Sequence, residues 1–316
     1  MAINTGIGAQ LGIAKESTHG DFTAPTDFIE FTQESLSAEI ERLESSGLAK
    51  GRRQLRSGRW VPAQKTVEGD VSAELATEGL LPFWEAAFGG SSSSGTGPYT
   101  HEFTLGDFPP GLTVQVGRPD ETGTLQPFSY VGGMVSSFSL EASTGEIASC
   151  TFTVNAQDEK TNETLATPSY PDPLRLLTFV GGSLKIAGSE VEVTSASVEG
   201  DNGLSTDRWK FGSKLRKRPA RGLRAFTGEF EAYFSNLDLY NRYINGDEAT
   251  LTLTFEGETL SDGSTPAKVE FSALVRFDGS TPQVGGSDEV MQSISYKAVS
   301  DSTNPTKLTV VTDETL

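Results

Sequence analysis

The chain is poor in the residues that carry most covalent and metal chemistry. It has one cysteine, Cys150, and two histidines, His19 and His101, among 316 residues. A lone cysteine excludes an internal disulfide framework and any zinc site built from several cysteines. His19 lies in a Gly- and Thr-rich stretch and His101 follows a serine run; both are expected at the surface, with no nucleophile context. No run of about 18 apolar residues occurs, so no membrane span is expected. The opening MAINTGIGAQ lacks a basic stretch followed by an apolar core and is expected not to be a secretory signal. No Gly-x-Ser-x-Gly elbow occurs, and the Gly-Gly pairs at 132–133, 181–182 and 285–286 read as turns or bulges rather than phosphate cradles. Asp201-Asn202-Gly203 reads as a turn without the further acidic ligands of a calcium loop. Cys150 alternates with Phe152 and Val154 and is expected as a buried thiol. No enzyme, cofactor or metal site is expected.

Positive charge is also scarce, and it is segregated. The 43 acidic residues outnumber 25 basic ones, which argues against general nucleic-acid binding. Thirteen of the 25 lie in two segments free of Asp and Glu. Residues 50–59 carry Lys50, Arg52, Arg53, Arg56 and Arg59, followed by Trp60. Residues 208–224 carry Arg208, Lys210, Lys214, Arg216, Lys217, Arg218, Arg221 and Arg224, with Trp209 among them. The remaining residues hold 43 acidic and 12 basic groups, a net of −31. Three readings stand: solvated loops, docking on the acidic surface of a neighbouring copy, and phosphate contact, which the −31 body opposes. Arginine stacking on Trp60 or Trp209 is a further option.

What is abundant is two-residue periodicity and glycine, the marks of a turn-rich, mainly β protein. In 67–75, Val67, Val71, Ala73 and Leu75 share one face, while Glu68, Asp70 and Glu74 share the other. Residues 80–88 then show helical spacing, with Gly89 as the stop. The same succession recurs. Residues 226–234 match 67–75 at an offset of 159, a helix is expected over 237–244 before Gly246, and 251–255 matches 112–116 at an offset of 139. The 20-residue difference falls where GGSSSSGTGP, at 89–98, is expected as a flexible surface loop. A last block recurs at an offset near 143, opened by Phe128 and Phe271 and closed by Asp158 and Asp301; its apolar sets fit 144 or a neighbouring value. A basic segment precedes each strand-then-helix unit. The expected fold is therefore two tandem antiparallel β-sandwich or partial-barrel domains, each with one short helix. Expected limits are an arm at 1–26, domains at 27–160 and 176–304, a linker at 161–175 and a tail at 305–316. The Gly, Thr and Ser content of the arm suggests that it is unordered before assembly.

Such a unit leaves open sheet edges, which invite pairing with further copies. Ring closure removes them. The faces left to water are acidic, with Glu68, Asp70 and Glu74 in the first copy and Glu229 and Glu231 in the second.

The opening MAINTGIGAQLGIAKEST, the segments SLSAEIERLESSGL and GRRQLRSGRWVP, and FSYVGGMVSSFSLEASTGEI resemble the major tail tube proteins of long-tailed, non-contractile phages. So do SASVEGDNGLSTDRWKFGS and FTGEFEAYF in the second half. The resemblance covers nearly the whole chain. It implies a virion structural protein whose copies form stacked rings, with a tape measure protein, a tail terminator and distal tail proteins as partners. Assembly would take place in the host bacterial cytoplasm. Double-stranded DNA would pass through without binding, and no membrane would be involved. The resemblance makes the acidic faces with Glu68, Asp70, Glu74, Glu229 and Glu231 candidates for a repulsive lumen wall, although the inner strands could equally be 36–43, with Glu39 and Glu41, or 134–142. A subunit with two such domains implies a trimeric, pseudo-hexameric ring. In the family a long loop bridges to the adjacent ring, and the basic segments sit where that loop should be. The resemblance therefore assigns ring or subunit contacts to Lys50, Arg52, Arg53, Arg56, Arg59, Trp60, Arg208, Trp209, Lys214, Arg216, Lys217 and Arg218. Two other readings remain open on the residues alone, namely a terminator or distal-tail ring and a non-viral β-sandwich binding or adhesion protein.

Overall fold

The computed structural model describes residues 5–279, 281–284, 289–300 and 305–316. Asp301 and the Gly-Gly pair at 285–286 lie outside the described residues. The first half runs β1 (Gln10–Lys15), β2 (Asp27–Ile29), β3 (Gln33–Glu34), β4 (Ser37–Glu44), β5 (Trp60–Glu74), α1 (Leu81–Phe88), β6 (Gly89–Gly95), β7 (Tyr99–Leu105), β8 (Leu112–Pro119), β9 (Leu125–Ser143), β10 (Ser149–Ala156) and β11 (Asp158–Lys160). The second runs β12 (Gly182–Ile186), β13 (Ser189–Val191), β14 (Val193–Asp201), β15 (Ala225–Tyr233), α2 (Asp238–Asn245), β16 (Glu248–Thr259), β17 (Pro266–Gly279), β18 (Met291–Val299) and β19 (Lys307–Thr312). The protein is mainly β, and its antiparallel sheet is not closed into a barrel.

One antiparallel array crosses the whole molecule in the order β4–β5–β10–β9–β14–β15–β18–β17. Each half contributes four neighbouring strands, and β9 meets β14 through seven register positions, from Ser143↔Ser195 to Ser137↔Asp201. A second layer is formed where the long strands bend away. The early part of β9 pairs with β8, which pairs with β1. The early part of β17 pairs with β19, while β16 carries β12 on its other side. Gly132, at φ 66°, allows the bend inside β9 where a β-carbon residue would be strained.

The period-two reading of 67–75 holds. Val67 and Val71 are fully buried, and Glu68 and Asp70 are exposed. Gly69 lacks a side chain for a steric reason: a β-carbon there would sit 2.5 Å from the Ser35 carbonyl oxygen. Both helices form where the spacing puts them, each ended by a left-handed glycine, Gly89 (φ 88°) and Gly246 (φ 70°). Between the layers lies the main core, with a small separate cluster of Leu260, Ala267 and Val311. Phe83 stacks on Phe152 at 4.7 Å and Trp84 meets Phe152 edge-on at 4.7 Å. Phe88 and Phe226, 5.7 Å apart, carry the aromatic packing from one half into the other. Cys150 is buried as expected, and burial raises its thiol pKa to about 12.

Three expectations are corrected and one open register is fixed. Residues 89–98 are not a loose loop: Gly89–Gly95 pairs residue by residue with β7 as a hairpin. Its hydrogen bonds come from the backbone, to which a Gly/Ser composition is indifferent, and β7 is already anchored by β19. Residues 10–15 of the expected arm are an interior strand, with Leu11 and Ile13 fully buried. His101 is buried rather than at the surface, its ring nitrogens bonded to Ser93 Oγ at 2.8 Å and the Glu314 carbonyl at 2.9 Å. The register of the last block, open in the sequence at 144 or a neighbouring value, comes out at 142. Phe152 faces Val71 and Ile294 faces Phe230, and the two facing residues are 159 apart.

Candidate functional site

The face of the main array away from the core is predominantly acidic and hydroxylic. Cross-strand register places Glu74, Ser149, Glu141, Ser197, Glu229, Ser295 and Asp278 in one row across seven strands. Acid and hydroxyl alternate without exception. Like charges directly opposite one another destabilise a sheet. Placing them on every second strand sets their backbones about 10 Å apart, beyond the ~8 Å screening length at physiological salt. One adjacent row, Ser72, Thr151, Ser139, Glu199, Thr227, Lys297 and Arg276, ends on two cations, and two further rows repeat the acid-and-hydroxyl chemistry. Asp70, Thr153, Ser137 and Asp201 form one, and Ser143, Ser195, Glu231 and Ser293 another. Glu68 stands opposite Ser37 and Glu39 opposite Thr66, which puts both acids on the same face. Glu41 falls at the irregularity between Ile40 and Arg42 and is exposed. Hydroxyls hold several carboxylates in place: Thr153 Oγ1 donates to Asp70 Oδ1 at 2.7 Å, Thr194 Oγ1 to Glu231 Oε2 at 3.2 Å, and Ser293 Oγ to Glu229. Glu141, Glu199 and Asp278 belong to this face and were not singled out in the sequence. Glu141 is the one acid of β9, while Glu199 shares β14 with Asp201 and Asp278 shares β17 with Glu270; the pairing register brings all three onto this face.

The two basic segments part company. The first caps a β4–β5 hairpin that extends past the sheet. Lys50, Arg52, Arg53 and Arg56 are exposed, and among the described residues none of them forms an ion pair. Arg59 donates to Ser45 Oγ at 3.0 Å, and Arg42 lies over the Trp60 ring at 5.8 Å. The second segment folds back onto the first half of its own chain. Arg216 is 6% exposed; its Nη2 donates to the carbonyls of Val67 at 2.8 Å and Ala156 at 3.3 Å. Arg218 donates to Phe108 and Pro109 carbonyls at 2.9 and 2.8 Å, and Arg208 donates to the Arg218 carbonyl at 2.7 Å. The Lys65 amide donates to the Lys214 carbonyl at 2.9 Å. Burial pulls the guanidinium pKa values of Arg216 and Arg224 below the ordinary one. Trp209 is half-buried, while Arg208, Lys214 and Lys217 keep exposed side chains. For Arg216 and Arg218, then, the side chains are committed within the chain, because the loop lies in a groove between β5 and the 106–109 turn.

The ends of the array differ from its middle. β4 pairs with β5 on one side and, among the described residues, with no strand on the other. Phe277, Asp278 and Gly279 at the end of β17 pair, among the described residues, with β18 alone. These edges expose a donor and acceptor row of the kind that recruits a further strand. No helix among the described residues is long and apolar enough to cross a membrane.

A search of curated proteins finds no match. The profile of the phage tail tube protein family matches residues 6–298, nearly the whole chain. A mainly antiparallel array with unpaired ends and a hydroxyl-spaced acidic face suits a subunit of such a tube, and the chain belongs to the phage tail tube protein family.

Proposed function

We propose that the chain is a duplicated tube subunit of a long-tailed, non-contractile phage, three copies of which close a pseudo-hexameric ring. Stacked rings then form a conduit for genome ejection. One observation carries this reading: the four strands β4–β5–β10–β9 are followed directly by β14–β15–β18–β17, with β5 and β15 each leading into a helix. The β9·β14 junction is thus an internal example of how one unit joins the next. The free β17 end and the free β4 edge are the two sides of the same joint, left for another copy.

Strand arithmetic favours three. Eight strands per chain give about 24 per ring, and a spacing of ~4.8 Å with a tilt near 40° closes a barrel roughly 45–50 Å across at the backbone. Six copies would give a barrel of about twice that width, far more than a duplex needs. The acidic, hydroxyl-spaced face then points to the bore, where its acids outnumber the two cations that share it, Lys297 and the Asp278-paired Arg276, and repel phosphates. The helices and second layer lie outside. Tape measure, terminator and distal tail proteins are the partners that this role requires, with assembly in the host bacterial cytoplasm. Electron microscopy of the purified chain tests the reading: hollow fibres with three subunits per ring support it, and six subunits per ring or a lasting monomer overturns it.

A further inference from the structure

The two helices occupy corresponding places but are covered differently. The C-terminal end of α1 is closed by residues from the connection between β14 and β15. Asn202 Nδ2 donates to the Ala87 and Val135 carbonyls, both at 2.9 Å. Arg224 donates to the Phe88 and Gly106 carbonyls at 2.9 and 3.0 Å, and Arg221 pairs with Asp107. No residue of α2 is buried. Leu237 is 56% and Ile244 58% exposed, and Tyr233 and Phe234, at the approach to α2, are exposed as well.

We propose that this face of α2 is the seat for the basic β4–β5 hairpin of the next copy in the same ring. The first basic segment would then act within rings rather than between them. The proposal rests on the ring-subunit reading and goes beyond it by naming the two surfaces.

Register supplies the match. Gly200 faces Phe226 in the second half as Ala38 faces Val67 in the first, so Asn202 and Ile40 hold the same place, two residues further on. Ala87 and Ile244 are each the penultimate residue of their helix. Carrying the internal contact over to a neighbouring copy sets Ile40 against Ile244. Where the internal version is a polar cap, this one joins two exposed apolar side chains, 44% and 58% accessible. Further along the hairpin Trp60 and the facing pair Leu43 and Val61, on its two faces, are exposed too. Charge agrees. The loop at 50–59 holds five basic residues and no acid, and the two ends of α2 carry exposed Asp238, Asp247 and Glu248. Opposed potentials of this kind speed encounter and fix register.

The test is Ile40→Cys with Ile244→Cys in the full chain, assembled and then treated with a short bismaleimide. Both positions are exposed, so the variant folds, and the buried Cys150 thiol stays silent. If the hairpin docks within the ring, the monomer band is lost into a ladder that ends at the closed ring however long the tube, while neither single variant gives a ladder. A ladder that climbs past one ring places the contact between rings and overturns the proposal, as does a tube with no cross-link. In both of those outcomes the images still show rings, so the tube-subunit reading survives; a chain that stays monomeric in images and by mass overturns both. In parallel, Arg52→Glu with Arg53→Glu should slow ring formation about tenfold at low salt and less at high salt. An unchanged rate removes the electrostatic part.

Discussion

α1 and α2 have the same length, the same left-handed glycine stop and the same position after a strand, yet α1 buries seven of its eight residues and α2 buries none. The sequences, LPFWEAAF against DLYNRYIN, record when each helix is covered. A helix sealed during folding can be apolar all round. One that waits for another molecule keeps enough polar surface to stay soluble meanwhile. The largest expected effect breaks this contrast at its core. Trp84→Ala should cost about 3–5 kcal/mol in denaturant unfolding of the monomer, while Ile244→Ser should cost no more than about 0.5 kcal/mol. Equal costs would show that α2 is already packed in the isolated chain.

The same division separates the basic segments. Arg216 is enclosed by its own chain, and removing it strands two main-chain acceptors; Arg216→Ala should lose about 2 kcal/mol. Arg53→Ala, on the free loop, should stay within about 0.5 kcal/mol in the monomer. Its consequence is expected in assembly, read as ring yield against salt concentration.

Local signals were enough for some elements and not for others. The helices were legible because 3.6-residue spacing and a glycine stop are both written within ten residues. The strand at 67–75 was legible because its alternation is complete. The hairpin at 89–105 was not, since glycine and serine show no facial pattern and the partner that fixes it, β19, lies some 200 residues away. Both basic segments read as loops, but the folding back of Arg216 depends on carbonyls from Val67 and Ala156 that no local rule brings near. The acidic face was half legible. Glu68, Asp70, Glu74, Glu229 and Glu231 stand out as alternating groups, whereas Glu141 and Glu199 acquire meaning only when β9 and β14 are paired. Asn202 read as a turn residue, and it is one, with the Gly203 amide donating to Asp201 Oδ1 at 2.7 Å. Its second task, closing α1, is a long-range contact.

Reversing the acidic row sharpens the comparison between the two faces of the sheet. Lysine at Glu141 and Glu229 should shift monomer stability by less than about 0.5 kcal/mol, because both sites are exposed. Assembled tubes of the variant should retain duplex DNA at low salt and release it as salt rises, while unsubstituted tubes retain none at any salt. Equal retention by both would remove these acids from the bore.

The smallest effect concerns the carboxyl that helps hold the C-terminal segment against the first half. The Gly79 amide donates to Glu314 Oε2 at 2.6 Å, and His101 bonds the Glu314 carbonyl. Burial, with the negative charges of Asp27 and Glu78 adding to it, raises the Glu314 carboxyl from an ordinary 4.5 to about 7, against the opposing pull of the Gly79 bond. Between those two values the folded chain retains a proton that the unfolded chain has released. The contribution of this group to stability is therefore fully present below about 4.5 and declines as pH rises to about 7. Glu314→Gln removes the ionisation and keeps an oxygen acceptor for Gly79. Its melting temperature should exceed that of the unsubstituted chain by about 2 °C at pH 8, with the two curves converging towards pH 4.5. A difference that persists unchanged at low pH would mean that Glu314 acts through shape alone, and that the contact between the C-terminal segment and the first half carries no proton linkage.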